Sequence, residues 1–362
     1  MLYTIYYAIL GWLIPYSTPR IHCRKTKNIT NWGIPLFFSF LLTIILRGIA
    51  YETGVDYYHY HDYYVNTSKN IDDPWGEHTE IGYKYLIAIL TSISNHPSTF
   101  FILSSFILLY SVISLSTYYG NARKYILFLW PVFLHCISFN LYRQFWAMSF
   151  IYLAFLHFNK NEIKKGICFI LLTICFHTSS IIFLMILLLI YKFRNLNINK
   201  WLLIVLVTIT SIFNQQIVNL MLWGANLISI YYFLLTGQLY SESLSETLYD
   251  SSILLIPNLI TYIIWIYYGD KLCQKEPSYK ILYYIVTIGL IIFPITRQEV
   301  FLRICLYFMN FFPIFIGILL SRNKNFNKHP LLWVSVIYYI LLYFRNIYTL
   351  GKDFPLTFIN FP

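Results

Sequence analysis

The sequence predicts an all-α polytopic membrane protein, a single integral domain over residues 1–362. Three observations predict it. Of the 362 residues, 58% are hydrophobic and 11% charged, where a soluble domain carries about 25% charge. The mean hydropathy is +0.60. Apolar runs of roughly 15 to 25 residues recur from end to end, long enough to approach or cross a hydrocarbon core ~30 Å thick. A membrane β-barrel would instead show ~10-residue segments of alternating polarity, and these runs are continuously apolar.

About 11 to 13 membrane helices are expected, and 12, with both termini outside, is the simplest fit. The spans fall near 1–16, 32–50, 97–118, 125–139, 144–158, 166–176, 178–191, 201–221, 251–268, 281–294, 304–321 and 331–348. The first run, MLYTIYYAILGWLIPY, lacks a basic leader and a small-residue cleavage site, and reads as a retained span rather than a signal peptide. The run 166–191 is flanked by basic loops on both sides. Each leg of a hairpin there reaches only ~20 Å at 1.5 Å rise. One tilted span, with a second near 226–237, is the alternative.

Charge sets the expected orientation. Six short loops, 20–28, 121–124, 159–165, 192–200, 270–280 and 322–328, hold 18 of the 26 Lys and Arg but only three acids, Glu162, Asp270 and Glu276. Basic loops mark the cytoplasmic side. The net charge of +11 is therefore orientation bias and not a nucleic-acid footprint. The remaining acids fall mainly in two longer outer loops, 51–96 and 222–250. Within the first, IGYKYLIAILTSIS (81–94) reads as an amphipathic helix in the membrane interface. None of the six cysteines has CxxC spacing, so neither a disulfide framework nor a zinc cluster is suggested.

Three short outer turns carry polar chemistry. They hold Arg143 and Gln144, then His177, then Arg297, Gln298 and Glu299 with Arg303. Non-helical backbone at membrane depth is tolerated where it is buried in protein or lines a wet cavity, so a cavity opening to the outer face is inferred. Arg47 ends the span 32–50 on the same side. Guanidinium groups grip phosphate oxygens bidentately and stay charged when partly desolvated. Arginines at this depth suit a lipid diphosphate, whose tail lies in the bilayer.

Directly after Arg47 comes GVDYYHYHDYY (54–64). It reads as an outer loop, either merely solvated or contacting sugar. Tyrosines such as Tyr57 and Tyr60 offer flat apolar faces with a polar tip, and Asp56 and Glu80 are carboxylates near the membrane surface. Spacing of Asp56, His59, His61 and Asp62 matches no strong metal signature, and no metal or cofactor is expected. The chain has no GxSxG elbow, Walker loop, GxGxxG fingerprint or HExxH in a usable context.

In order, Arg47 with GVDYYHY, then EIGYKYL, YRQFWA, FHTSS and FLRICLYF resemble the EpsG-type branch of Wzy O-antigen and exopolysaccharide polymerases. The likeness runs from about residue 40 to 320. It implies a metal-independent glycosyltransferase, similar to those of C-type architecture, in the bacterial inner membrane with its active site facing the periplasm. Such enzymes join oligosaccharide repeat units carried on undecaprenyl diphosphate and release that lipid. A flippase and a chain-length regulator of the same pathway are the implied partners. The matching positions are Arg47, Gly54, Asp56, Tyr57, Tyr60, Glu80, Gly82, Arg143, Gln144, His177, Arg303 and Tyr307.

Combined, these readings expect Arg143, His177, Asp56, Glu80 and Arg303 to be catalytic. Arg47, Tyr57, Tyr60, Gln144, Arg297, Glu299 and Tyr307 are expected to bind substrate. An O-antigen ligase and a lipid-linked oligosaccharide flippase are the alternatives. A ligase would carry one large late outer domain, and a flippase would show internal repeats.

Overall fold

A computed structural model describes residues 34–54, 56–69, 79–135, 137–221, 223–224, 255–295, 299–350 and 357–358. The expected span 1–16 and nearly all of the loop 222–250 lie outside the described residues. The described chain is helical, apart from a two-residue antiparallel pairing of β1, Ala50–Tyr51, with β2, Thr357–Phe358. Among the described residues, three helical stretches are long and apolar enough to cross a membrane, Ser98–Tyr118, Pro277–Ile295 and Arg303–Arg322, or four with one bent pair. The protein is an all-α membrane protein.

The chain divides into two compact units. The first comprises residues 1–181, 316–324 and 336–362. Its helices are α1 (Ile34–Gly48), α2 (Tyr57–Ser68), α3 (Ile81–Ile93), α4 (Ser98–Tyr118), α5 (Arg123–Trp130), α6 (Tyr142–Asn159) and α7 (Ile163–Phe176). The pair α4 and α6 is nearly apolar all round, as a buried helix must be. Trp146 on α6 donates its indole N–H to Ser104 Oγ on α4 at 2.9 Å, and its ring stacks on Phe176 of α7. Between α5 and α6 the backbone leaves regular helix, passing through a π turn at Pro131–His135 and a 3₁₀ turn at Ile137–Phe139. The stretch 125–158, expected as two legs, holds α5 and α6 with this irregular segment between them.

The loop expected at 54–64 is instead mostly helix. Tyr57, Tyr60, Tyr63 and Tyr64 recur at the three-to-four-residue spacing of one helix face. All four are buried in an aromatic core with Tyr83, Phe100, Phe101 and Tyr142. Ring burial at helical spacing outweighs the polar tips, which is why the segment folds as α2.

The helix α3 meets α7 at a glycine. A Cβ on Gly82 would stand 2.7 Å from the carbonyl oxygen of Cys175, so only a residue without one allows this approach. On its opposite side α3 exposes Ile81, Tyr85, Ile89 and Ile93, one stripe at four-residue spacing. This agrees with the amphipathic pattern read from the sequence.

Residues 182–315 and 325–335 make the second unit. The helices that supply it are α8 (Ser180–Lys192), α9 (Lys200–Ile212), α10 (Asn214–Met221), α11 (Leu255–Lys275), α12 (Lys280–Ile292), α13 (Glu299–Met309), α14 (Phe312–Arg322) and α15 (Pro330–Leu350); α14 and α15 also run into the first. The span expected over 201–221 is bent by 79° between α9 and α10. At the break the Asn214 side-chain amide donates to the Ser211 carbonyl at 2.7 Å, competing with the backbone for an acceptor. The span expected at 251–268 continues as helix to Lys275. Asp270 accepts from Gln274 one turn on and from Lys200, so the helix persists into the basic segment. Gly289 of α12 packs on Phe308 and Phe312.

If Gly82 sets the spacing of α3 and α7, Gly82→Ala forces a clash with backbone and destabilises by about 1–3 kcal/mol. Its melting temperature in detergent should fall by several degrees. An unchanged melting curve would remove Gly82 from this role.

Candidate functional site

Three residues from three separate sequence motifs meet in the first unit. Glu80 immediately precedes α3, in extended backbone. Arg143 is the second residue of α6, just past the irregular apex. His177 ends α7 as its cap, also extended. The close approach of α3 and α7 at Gly82 brings the first and third together.

Glu80 is the hub. Its Oε2 accepts from Arg143 Nη1 at 2.5 Å, and its Oε1 lies 2.7 Å from His177 Nδ1. The side chains of Glu80, Arg143 and His177 are 10%, 17% and 13% exposed. Burial pushes the Glu80 carboxyl upward. The His177 hydrogen bond and the Arg143 charge outweigh it, and the carboxyl is held at about 2 against its usual 4.5. An ionised carboxylate only accepts, so His177 carries its proton on Nδ1 and leaves Nε2 as an acceptor.

Tyr60 pins Arg143. Charge and hydrogen bonding from Arg143 act on the Tyr60 phenol. Burial raises this phenol above its usual range; Arg143 opposes that and the Asp56 charge adds to it. Asp56 is the N-cap residue of α2, half-buried, and makes no side-chain cap bond. Its electrostatic reach to Tyr60 places it at the edge of the same cluster. Tyr83, three residues after Glu80, also borders the site, with the Arg143 guanidinium 5.8 Å from its ring centroid. Nothing in the sequence singled out Tyr83 except its helical spacing from Glu80.

Arg47, expected to bind substrate, is buried in the first unit. It is 1% exposed, donates from Nη2 to the Ser138 carbonyl at 2.9 Å and lies 3.9 Å over the Phe139 ring. It grips the irregular apex between α5 and α6. Gly54 lies against the same apex. Its φ is +96°, and a Cβ there would come within 2.4 Å of Asn140 Oδ1. Both residues therefore hold the segment that ends at Arg143.

The side chains expected to contact sugar have these places. Tyr57 is buried and stacked on Phe101, and Gln144 is buried within α6. Tyr58, on the exposed side of α2, donates to Glu52, and His61 pairs with Asp62. In the second unit Tyr307 is buried and stacked on Phe183, while Arg303 stands half-buried on α13. Arg297 lies outside the described residues. Glu299 begins α13, and only its backbone is described.

No curated protein and no solved structure shows a match to the chain. Residues 33–359, nearly the whole length, match the EpsG family. The motif order quoted above and the convergence of three of those motifs at Glu80 fall within the matched span. The chain belongs to the EpsG family, a membrane-bound, Wzy-like polymerase family of polysaccharide biosynthesis.

Proposed function

We propose that this protein joins oligosaccharide repeat units carried on undecaprenyl diphosphate into a polysaccharide, releasing undecaprenyl diphosphate. The reading places it in the bacterial inner membrane with about twelve spans and the site on the periplasmic face. A flippase supplies its substrate, and a chain-length regulator acts beside it. The observation that carries the reading is the Glu80 carboxylate shared between Arg143 and His177.

The reaction forms a bond from an acceptor sugar hydroxyl oxygen to the donor anomeric carbon and breaks the bond from that carbon to the diphosphate oxygen. The hydroxyl proton goes to His177 Nε2, the acceptor that Glu80 creates by holding Nδ1–H. The electron pair leaves with the diphosphate. The Arg143 guanidinium is assigned to that developing negative charge, the electrostatic help that often dominates a transition state. Glu80 itself is a poor base, because its carboxyl is held so low; its role is orientation. Asp56 is assigned to the acceptor side, through its place beside Tyr60. Arg303 is a proposed phosphate-binding residue of the second unit.

In a strain lacking the gene, wild type restored on a plasmid should return a full polysaccharide ladder on a gel. Stably inserted Arg143→Ala or His177→Gln should leave single repeat units on their lipid, a loss of about 10²–10⁴ in rate. Full-length chains from either variant would sink its assigned role. Single units also separate this reading from a ligase, whose loss leaves long lipid-linked polymer.

Glu80 gives a pH test of the site's assembly. Its folded value lies below the unfolded one, so its stabilisation is complete above about pH 4.5 and is lost as pH falls through about 2. The shift corresponds to on the order of 3 kcal/mol. The melting-temperature gap between wild type and Glu80→Gln should be constant from pH 7 to 5 and narrow below 4.5. A gap independent of pH down to 3 would show that the carboxylate is not held by charge.

A further inference from the structure

Arg123 opens α5 at the turn following α4. Its side chain is 4% exposed, and Nε, Nη1 and Nη2 are all buried without a hydrogen-bond partner among the described residues. Burial drags its guanidinium down to about 10, and no carboxylate offsets the shift. A guanidinium left unpaired out of water is costly. Its place at the start of a helix, the positive end of the dipole, adds to the cost. Within the same helical hairpin α4 buries a second polar group without a partner among the described residues, the Ser114 hydroxyl.

Among the described residues the surrounding charge offers no counterion. The turn belongs to a basic loop, where Lys124 is exposed and lies 4.9 Å over the Tyr125 ring. Glu162, the acid of such a loop in the same unit, is taken by His157 and Lys165. The turn is also ringed by tyrosines. Tyr118 and Tyr119 precede it and Tyr125 follows it, and Tyr118 is exposed. Such rings mark the membrane–water interface, the depth at which lipid phosphates lie.

We propose that Arg123 is the centre of an anion site that takes a phosphate oxyanion at the interface on the basic-loop side, remote in sequence from Glu80 and independent of the reaction assigned there. Either the phosphodiester of an anionic lipid or free phosphate has this chemistry. Bidentate donation from the guanidinium meets two oxygens of one phosphate, and Lys124 adds charge at the rim.

The test uses full-length protein reconstituted in phosphatidylcholine vesicles, in vesicles of phosphatidylcholine and phosphatidylglycerol, and in phosphatidylcholine with millimolar inorganic phosphate. Wild type should melt several degrees higher with phosphatidylglycerol than with phosphatidylcholine alone. Arg123→Gln should lose that increment, and Arg123→Lys should keep part of it. An equal increment from inorganic phosphate identifies free phosphate as the occupant; none identifies the lipid. Should Arg123→Gln not fold, native mass spectrometry of wild type replaces it, and a phosphate or phospholipid retained after delipidation in neutral detergent is expected. The proposal is overturned if wild type melts alike in all three conditions, if Arg123→Gln keeps the whole increment, or if wild type retains no phosphate species.

Discussion

A largely buried carboxylate is stable only where its charge is met on both oxygens. Glu80 meets that constraint by using two chain segments distant in sequence, Arg143 at the start of α6 and His177 at the end of α7. Three helix termini are thereby drawn to one point. The exposed stripe of α3, the glycine contact with α7 and the tyrosines pinning Arg143 all follow from where that carboxylate has to stand. The same arrangement selects one histidine tautomer, so the interaction that assembles the site also decides which nitrogen is available for chemistry.

Holding Arg143 requires a rigid apex, and the backbone there is neither straight helix nor tight turn. Proline at 131 and the π and 3₁₀ turns that follow leave carbonyls without helical partners. Arg47 supplies a donor to one of them and a cationic face for Phe139. Gly54 allows the neighbouring strand-like segment to lie against Asn140. An arginine that resembles a ligand-binding group is in this way part of the scaffold beneath one. Tyr57 shows the parallel case: a ring suited to sugar stacking is committed to the aromatic core.

Much of this was readable from the chain. Arg143, His177 and Glu80 stand out because ionisable groups beside apolar runs are costly and retained for a purpose. What the string of letters did not show was which of them touch. Tyr60 was legible as important but not as a partner of Arg143, and Tyr83 was hidden among aromatic residues. The segment 54–64 read as a loop because tyrosine is ambiguous between core and surface; four rings on one helical face resolve it only once Phe100 and Phe101 are there to bury them. The 79° bend at Asn214 was likewise invisible, since one side-chain amide competing for a carbonyl leaves hydropathy unchanged.

The sequence by itself determined that this chain is an all-helical membrane protein with basic loops on one expected side and polar turns on the other, because hydropathy and charge act locally and need no partner to be read. Only the tertiary structure decided that Glu80 lies between Arg143 and His177, that Arg47 faces protein, and that Arg123 is buried without a counterion among the described residues. Those outcomes depend on how closely helices approach, at Gly82 above all, and a distance between helices is a property of packed pairs that no single segment encodes.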